Sequence, residues 1–527
     1  MERHVKTGTD RNEDRCVEMP SLVFSILVKS SEDVDFLKIC RLVCKEWNYQ
    51  ASAALQAYSL VRLEEDDVDR VRKFNNLLLN GRISALPSPF QNFNVEASSL
   101  SDDTFNGLIN LPFFTISKFS IFTSDARVLD PMKFEALFES KGATMTDVLF
   151  TDTHEDHNAM WELSLRNKYL MVEDDCDPRC VHKENFMKFF RKEGIIEEIT
   201  IDICDSELLI AMLTPDRIKN VTKLDLKILG REIWEIVGAY VMPRLKNLRI
   251  FYEDYHCLEF LTNAASTLEE LEIEFANLNL FPVLPKLKQI RFRDWRDEFG
   301  LFSPATFPIL EHVELSVSEP IETFLPKTGF HPHDKVKTVV ISLTSYIDNP
   351  IIPHFHVLMD YLKCQFPNAT SLQLLKIPVI ETSTFLAIHN AFPGLQEIWL
   401  DGETSFTLMS GSDKKMVTDY LEYGLDIQHI PRKCSILSFL KLEKLVLTSD
   451  WRNCVTNDMV TYCLSKIPSL KTISFHWNEA LTVQEVRDCL GHLQKIIILN
   501  GAAFQEIMEE LRKSLPGIIV EDGQDDT

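Results

Sequence analysis

Four short stretches of the chain bring together residue types that could bind a metal ion. THEDH (153–157) places two histidines three residues apart, HPH (331–333) and HFH (354–356) carry alternate histidines, and CDPRC (176–180) carries two cysteines. A zinc protease needs HExxH on a helix, and a structural zinc site needs paired CxxC spacing. None of the four stretches has either pattern, so we expect loops at the histidine stretches and no metal site.

The chain also lacks the sequence patterns that position a phosphate group or a nucleophile. Neither GxGxxG nor GxxxxGK[ST] occurs, and no GxSxG turn frames a serine. Serine, histidine and aspartate are plentiful, but no motif brings them together. The sequence therefore predicts a protein without catalytic residues and without a cofactor.

Composition narrows the classes of partner and the compartment. The net charge of −24 disfavours general affinity for nucleic acid and for anionic membranes. No run of about 18 apolar residues occurs, and residues 1–18 are polar and lack the apolar core of a secretory signal. The twelve cysteines show no extracellular spacing, which suits reduced thiols. These features predict a cytoplasmic or nuclear protein that binds neither nucleic acid nor membrane.

One pattern recurs along the chain: an apolar residue, two variable residues, an apolar residue, one variable residue and a third apolar residue. We call these three apolar positions anchors. Clear copies begin at Leu245, Leu268, Leu287, Leu310, Val336, Leu395, Leu442 and Leu470. Weaker copies begin at Phe90, Ile116, Met145, Ile196, Val221 and Ala369. Between 221 and 336 the copies recur at steps of 24, 23, 19, 23 and 26 residues.

The segments in front of the anchors predict helices, because apolar residues recur there every three to four positions. The examples are 231–241, 256–266, 355–366 and 457–467. Helix followed by short strand at this period is typical of the leucine-rich repeat, and predicts an α/β solenoid with a parallel sheet. The widest intervals, 145 to 196 and 395 to 442, predict a degenerate copy or an inserted loop, and 401–415 is rich in Gly, Ser and charge as a loop would be.

The copies depart from the usual repeat at one position. Leucine-rich repeats usually carry Asn or Cys three residues after the third anchor. Here that position holds Glu253, Ala276, Trp295, Ser318, Thr344 and Asp450. The repeats are therefore degenerate, and the alternative that the pattern is only amphipathic sequence stays open.

Residues 19–55 do not follow the repeat and instead predict three short helices. Pro20 suits a first helical position. Three apolar stripes at helical spacing follow, and they are formed by Val23, Ile26 and Leu27, by Phe36, Leu37 and Cys40, and by Val43, Cys44 and Trp47. A piece this short cannot bury a sufficient core by itself, so we expect a partner to complete its apolar surface.

This stretch resembles the F-box family, whose pattern begins with Leu-Pro and closes with Val-Cys-Lys-x-Trp. The matching residues are Met19, Pro20, Val23, Ile26, Leu27, Leu37, Val43, Cys44, Lys45 and Trp47, with Met19 in the place of Leu. The resemblance implies that these residues, Lys45 excepted, bind a Skp adaptor and through it a cullin–RING ubiquitin ligase. The alternative is a non-enzymatic interaction scaffold in which the three helices only cap the solenoid.

The sequence thus predicts a chain of four segments. They are a flexible N-terminus (1–17), an F-box (18–56), a degenerate leucine-rich-repeat solenoid (57–518) and an acidic C-terminal tail (519–527). With the F-box resemblance, this organisation implies the substrate-recognition subunit of an SCF-type E3 ubiquitin ligase, which binds an unknown protein target through its repeats. Whether the target must be phosphorylated does not follow from the sequence.

Strand alternation predicts which side chains would meet that target. If the anchors face the core, the residues between and after them face solvent on the concave side. These residues are Asp225, Lys227, Arg249, Phe251, Glu272, Glu274, Arg291, Arg293, Glu314, Ser316, Gln373, Leu375, Trp399, Asp401, Ser474 and His476.

Five of these residues are the predicted target-binding set: Arg249, Phe251, Arg291, Arg293 and Trp399. Exposed aromatic side chains are frequent hot spots of partner binding, and paired arginines can bind an acidic or phosphorylated segment. Two alternatives stay open. Glutamates of the neighbouring strand could neutralise the arginines in an exposed ion-pair ladder, which contributes little to stability, and the loop 401–415 could cover Trp399.

Overall fold

The structure is a computed structural model, and it describes only part of the chain. The described ranges are 60–63, 71–74, 91–96, 115–123, 147–154, 159–166, 169–174, 197–203, 218–228, 237–251, 257–274, 278–295, 302–317, 331–343, 355–376, 382–401, 409–412, 433–448 and 455–523, with 69, 76, 106, 108–109, 136–137, 140–141, 145, 213 and 380. The chain divides into two compact units, Met1–Val221 and Thr222–Thr527. The single solenoid predicted over 57–518 stays a prediction across that division.

The N-terminal unit contains a mixed sheet. Its strands are β1 (Leu60–Leu63), β2 (Asn92–Glu96), β3 (Lys118–Thr123), β4 (Asp147–His154), β5 (Ala159–Arg166), β6 (Tyr169–Asp174) and β7 (Glu198–Ile203). β1 to β4 pair in parallel, β4, β5 and β6 pair antiparallel, and β6 pairs in parallel with β7. The wide interval between 145 and 196 therefore holds two further strands, β5 and β6, that do not follow the repeat.

The C-terminal unit is built on a parallel sheet in which each strand pairs with the next one along the chain. Its strands are β8 (Lys223–Ile228), β9 (Asn247–Phe251), β10 (Glu270–Ile273), β11 (Gln289–Trp295), β12 (His312–Val317), β13 (Thr338–Leu343), β14 (Ser371–Leu375), β15 (Glu397–Leu400), β16 (Lys444–Leu447), β17 (Thr472–Phe475), β18 (Lys495–Ile498) and β19 (Ile519–Asp522). This α/β architecture confirms the predicted parallel sheet and is compatible with a solenoid. β15 pairs directly with β16, so the interval from 395 to 442 adds no strand between these two in the sheet, and residues 402–408 and 413–432 of it lie outside the described residues.

Anchor residues set the register of this sheet. Leu248 lies opposite Leu271, Leu271 opposite Ile290, and Ile290 opposite Val313. All four side chains are buried, as are the third anchors beside them. Burying an aliphatic side chain contributes about 1.5–3 kcal/mol, and a slip of one residue would turn the whole row toward solvent. The sequence pattern and the register therefore agree.

The helices of the C-terminal unit lie between the strands in sequence. They are α1 (Cys257–Ala264), α2 (Phe355–Gln365), α3 (Thr382–Ala391), α4 (Asn457–Tyr462), α5 (Val483–Leu490) and α6 (Gln505–Ser514), with short 3-10 helices at Leu278–Leu280, Ile436–Ser438, Leu464–Lys466 and Gly501–Phe504. Thr456 and Thr482 cap α4 and α5 by accepting hydrogen bonds from backbone N–H groups of the first turn. The helices predicted at 256–266, 355–366 and 457–467 are confirmed, whereas 231–236 lies outside the described residues.

A β-bulge changes the alternation at the end of β11. The register with β12 pairs Phe292 with Leu315 but Trp295 with Val317, so β11 holds one extra residue between these pairs. Trp295 is consequently buried, and its ring lies 5.0 Å from Phe292 and 5.2 Å from Phe302. The position that carries Asn or Cys in ordinary repeats is thus filled here by an aromatic core residue.

Some elements of the C-terminal unit are absent from the sequence prediction. β18 follows the anchor pattern at Leu493, Ile496 and Ile498, which the pattern search missed. β19 extends the sheet through Asp522, so the predicted start of the acidic tail at 519 lies inside a strand. Asn478, three residues after a third anchor, donates a hydrogen bond to the carbonyl oxygen of Val455 at 2.8 Å.

Candidate functional site

The candidate site is one face of the parallel sheet in the C-terminal unit. We call it the polar face and define it by the side chains that alternate with the buried anchors on β8 to β16. In register across β8 to β12 stand Asp225, Arg249, Glu272, Arg291 and Glu314. The signs alternate from strand to strand, and cross-strand neighbours of opposite charge stabilise a sheet. We call these five residues, together with Arg293, the arginine ladder.

Glu272 is the centre of the arginine ladder. Its Oε2 lies 2.9 Å from Nε of Arg249 and 3.4 Å from Nη1 of Arg291, and its Oε1 lies 2.6 Å from Nε of Arg293. Nε of Arg291 lies 2.6 Å from Glu314. One carboxylate on β10 therefore holds three guanidinium groups in place.

The structure corrects the prediction that every residue between and after the anchors faces solvent. Asp225, Glu272, Ser474 and His476 point to the predicted face but are buried. At Glu272 the reason is length, because three long arginine side chains lie over a shorter carboxylate and shield it from water. The ion-pair alternative is therefore confirmed for Glu272, whose partners are these arginines, but the ladder is not the fully exposed one that was expected.

Phe251 is covered by an arginine of the ladder. The guanidinium carbon of Arg293 lies 4.1 Å from the centre of the Phe251 ring, at the distance of a cation–π contact. Phe251 is partly buried, and the contact fixes the guanidinium plane. Phe251 thus supports Arg293 and does not project as a separate aromatic anchor.

Trp399 lies on the same face, on β15, four strands from β11. It stands between Gln373 and Val446 in register and donates a hydrogen bond from Nε1 to Oγ1 of Thr448 at 3.0 Å. The side chain is partly buried. Within the loop 401–415 the structure describes Asp401 and residues 409–412, so the alternative that the loop covers Trp399 falls mostly outside the described residues.

His312 borders the arginine ladder on β12. Burial lowers the pKa of His312, and the positive charge of Arg291 lowers it further. Both causes favour the neutral imidazole at pH 7. His312 therefore adds no positive charge to this face.

A second charged group lies just before β10 and β11, outside the polar face. Glu269 bridges Lys246 at 3.1 Å and Lys288 at 2.7 Å. Hydrogen bonds from Lys288 and Lys246, together with their positive charges, lower the pKa of the Glu269 carboxyl to about 2. This solvent-accessible bridge is chemically similar to the arginine ladder but less covered.

We expect the Glu269 bridge to make stability depend on acidic pH. A carboxyl whose pKa is depressed in the folded state stabilises above its ordinary pKa of 4.5, and that contribution is lost as pH falls through about 2. The wild type should therefore lose stability between these values more steeply than Glu269→Gln. Urea unfolding at several pH values measures the difference. Parallel curves for the two proteins would contradict this assignment, and Lys288→Met should flatten the wild-type curve toward that of Glu269→Gln.

The four stretches rich in histidine or cysteine are placed only in part. His333 is buried, and its Nε2 donates to the carbonyl oxygen of Phe307 at 2.6 Å, so it ties two loops together. The loop predicted at 331–333 is confirmed, but Phe355 and His356 begin α2, so the loop predicted there is wrong. His154 ends β4, which corrects the predicted loop at that residue, while 155–157 and 176–180 lie outside the described residues.

Two negative findings apply to the described residues alone. Among them, no group of three His, Cys, Asp or Glu side chains has the arrangement of a metal site. Within the same ranges, the helices are too short or too polar to cross a membrane. The predicted adaptor-binding residues, Met19, Pro20, Val23, Ile26, Leu27, Leu37, Val43, Cys44 and Trp47, all lie outside the described residues.

A scan against models of protein families finds no matching family, and a search of curated proteins finds no matching protein.

Proposed function

We propose that this chain is the substrate-recognition subunit of an SCF-type ubiquitin ligase and carries no catalytic residues of its own. A Skp adaptor would bind the F-box stretch at 18–56 and connect the chain to a cullin–RING ligase. The repeats would hold a protein substrate beside that ligase, which raises the local concentration of the substrate at the modifying enzyme. The proposed compartment is the cytoplasm or the nucleus, and the proposal includes no cofactor, nucleic acid or membrane.

The finer fold in this proposal is a degenerate leucine-rich-repeat solenoid. Its support is the recurrence of one backbone arrangement before successive strands. The N–H groups of Lys246 and Asn247 donate to the carbonyl oxygen of Thr222 at 2.8 and 3.0 Å, and those of Glu269 and Glu270 donate to Lys246 at 2.8 and 2.9 Å. A unit that bonds in this way to the unit before it grows by stacking, because its apolar face is buried only against neighbours.

One observation carries the proposed role in substrate recognition. The polar face presents three guanidinium groups, held in place by Glu272, and a tryptophan, held in place by Thr448, on one regular sheet. Side chains that are already ordered lose little conformational entropy when a partner binds. Arg and Trp are also the residue types most enriched among binding hot spots. Such a surface suits the capture of a protein better than the conversion of a small substrate.

The adaptor step of the proposal is tested by Trp47→Ala. Val43 and Trp47 share one face of the predicted third helix, and truncating a buried interface Trp commonly costs more than about 2 kcal/mol, or roughly thirtyfold in affinity. We therefore expect the variant to lose recovery of a Skp adaptor in a pull-down with purified proteins. Titration of the adaptor against both proteins measures the change in Kd.

Glu46→Ala is the matched control, because residue 46 lies on a different face of the same predicted helix. It should bind the adaptor as the wild type does. If a folded Trp47→Ala protein binds the adaptor with unchanged affinity, the F-box assignment fails and the three helices only cap the repeats.

A further inference from the structure

We infer that the polar face binds an extended acidic segment of a protein at two points, with a carboxylate on Arg293 and a large apolar side chain on Trp399. This inference rests on the proposed function and specifies its substrate class. Its first support is the uneven exposure of the arginine ladder. The side chains of Arg249, Arg291 and Arg293 are 42%, 34% and 48% exposed. Those of Asp225, Glu272 and Glu314 are 12%, 6% and 14% exposed.

This difference in exposure determines the sign of the charge that a binding partner contacts. Three arginines and three carboxylates balance in formal charge, but the carboxylates lie underneath and the guanidinium groups lie on top. A partner at contact distance therefore meets N–H donors and positive charge. On a chain with a net charge of −24 this is a local exception, and it selects a carboxylate over a cation.

Arg293 is the member of the ladder best placed to bind a carboxylate. Its contact with Glu272 is made by Nε, and its guanidinium carbon lies 4.1 Å from the centre of the Phe251 ring. The two terminal NH2 groups of Arg293 can then donate a pair of parallel hydrogen bonds to the two oxygens of a carboxylate. Because Glu272 and Phe251 already fix the plane, binding costs little side-chain entropy.

Trp399 supplies the second contact because the register row of the ladder carries uncharged residues on β13 to β16. At the register positions that carry charge on β8 to β12, the later strands carry Val340, Gln373, Trp399 and Val446. Val340 and Val446 are buried, while Trp399 is partly exposed and is oriented by Thr448. An indole fixed at its N–H presents the rest of its ring to an apolar side chain.

The distance between the two contacts selects the kind of ligand. β11 and β15 are separated by four strand steps, which is about 19 Å at about 4.8 Å per step. No small molecule of ordinary size reaches both points, whereas an extended chain covers this distance in about six residues. A carboxylate is favoured over a phosphate, because the carboxylates beneath the arginines already offset most of their charge and would repel a dianion.

The test uses synthetic peptides and the full chain. Fluorescein-labelled peptides carry an Asp-Glu pair and a Phe that are separated by Gly-Ser spacers of about two or about six residues. The short spacer reaches at most roughly 10 Å and cannot join the two points, whereas the longer spacer can. We expect the longer peptide to bind at least about tenfold more tightly in fluorescence anisotropy. Equal affinities for the two peptides would overturn the two-point inference.

Single variants then test the contact at Arg293 and the contact at Trp399 separately. Arg293→Gln should weaken the long peptide about tenfold, since a charge-assisted pair contributes about that much, and should leave a peptide with Asn-Gln in place of Asp-Glu unaffected. Trp399→Ala should weaken both long peptides by a similar factor, and the two losses should multiply in the double variant because the sites are far apart. Arg293→Lys keeps the charge but not the fork, and should recover only part of the affinity.

Two matched control variants remove a positive charge and an apolar side chain outside the two proposed contacts. Lys288→Gln removes a positive charge five residues from Arg293 but outside the polar face, and Leu440→Ala removes an apolar side chain that is 77% exposed. Both should bind the long peptide as the wild type does, and circular dichroism should show all variants folded. If Lys288→Gln weakens binding as much as Arg293→Gln, general electrostatics explain the result and the inference is wrong. Binding only of a phosphoserine peptide would overturn the carboxylate assignment. None of these outcomes involves the Skp adaptor, so they are separate from the pull-down.

Discussion

Replacing Trp295 by Ala is expected to lower the free energy of unfolding of the C-terminal unit by about 3–5 kcal/mol. The side chain is fully buried and stacks on Phe302 at 5.2 Å with Phe292 edge-on at 5.0 Å. Phe302 in turn lies 5.2 Å from Phe366, so the cavity left by the indole would loosen an aromatic cluster. Aromatic pairs add to the loss from burial alone.

Urea unfolding followed by circular dichroism measures this loss, and Trp399→Ala is the control. Trp399 is only partly buried, so its removal opens no closed cavity and should cost clearly less. A loss below about 1 kcal/mol for Trp295→Ala would mean that the site collapses without penalty, and it would contradict the packing described for the bulge of β11.

Reversing Arg291 and Arg293 to Glu is expected to destabilise the C-terminal unit by about 3 kcal/mol, near the lower end for broken buried pairs because the arginines are partly exposed. The change would place two carboxylates against buried Glu272, which lies 3.4 and 2.6 Å from these arginines. Arg291 would also lose its contact with Glu314. The double reversal therefore changes folding as well as any binding, and the single variant Arg293→Gln is the better test of target capture.

The chain offers a matched control for this reversal in Lys246→Glu with Lys288→Glu. These two lysines pair with Glu269 as the two arginines pair with Glu272, but all three side chains are more exposed. Water and salt screen exposed charges, so the control should lose markedly less stability. Equal losses of stability for the two double variants would show that the burial of Glu272 does not determine how much the arginine ladder stabilises the unit.

The sequence by itself determined the parallel sheet and its register. The anchor triplets beginning at Leu245, Leu268, Leu287 and Leu310 each coincide with a strand, because their spacing puts the second and third apolar side chains on one face of the strand and the first just before it. Pairing in parallel then follows from the stacking of similar units. It also placed Arg249, Arg291 and Trp399 on one face, since alternation depends only on local backbone geometry.

The local sequence pattern did not predict which side chains neighbouring residues bury or which distant strands pair. Glu272 and Arg249 occupy equivalent positions, yet Glu272 is buried and Arg249 is partly exposed, because the longer of two paired side chains covers the shorter one. β5 and β6 run antiparallel inside an interval where a degenerate copy or an inserted loop was expected, and their pairing joins residues that no short window contains.

Trp295 shows most clearly what only the tertiary structure decided. Strict alternation from Phe292 would turn residue 295 to the solvent face, whereas one extra residue in β11 turns it into the core. That extra residue is tolerated because Phe292 and Phe302 fill the space around the indole, and they reach it from a strand and from a loop. Local spacing determines the face on which alternation places a side chain. The free energy of packing against residues distant in sequence determines whether that side chain is buried.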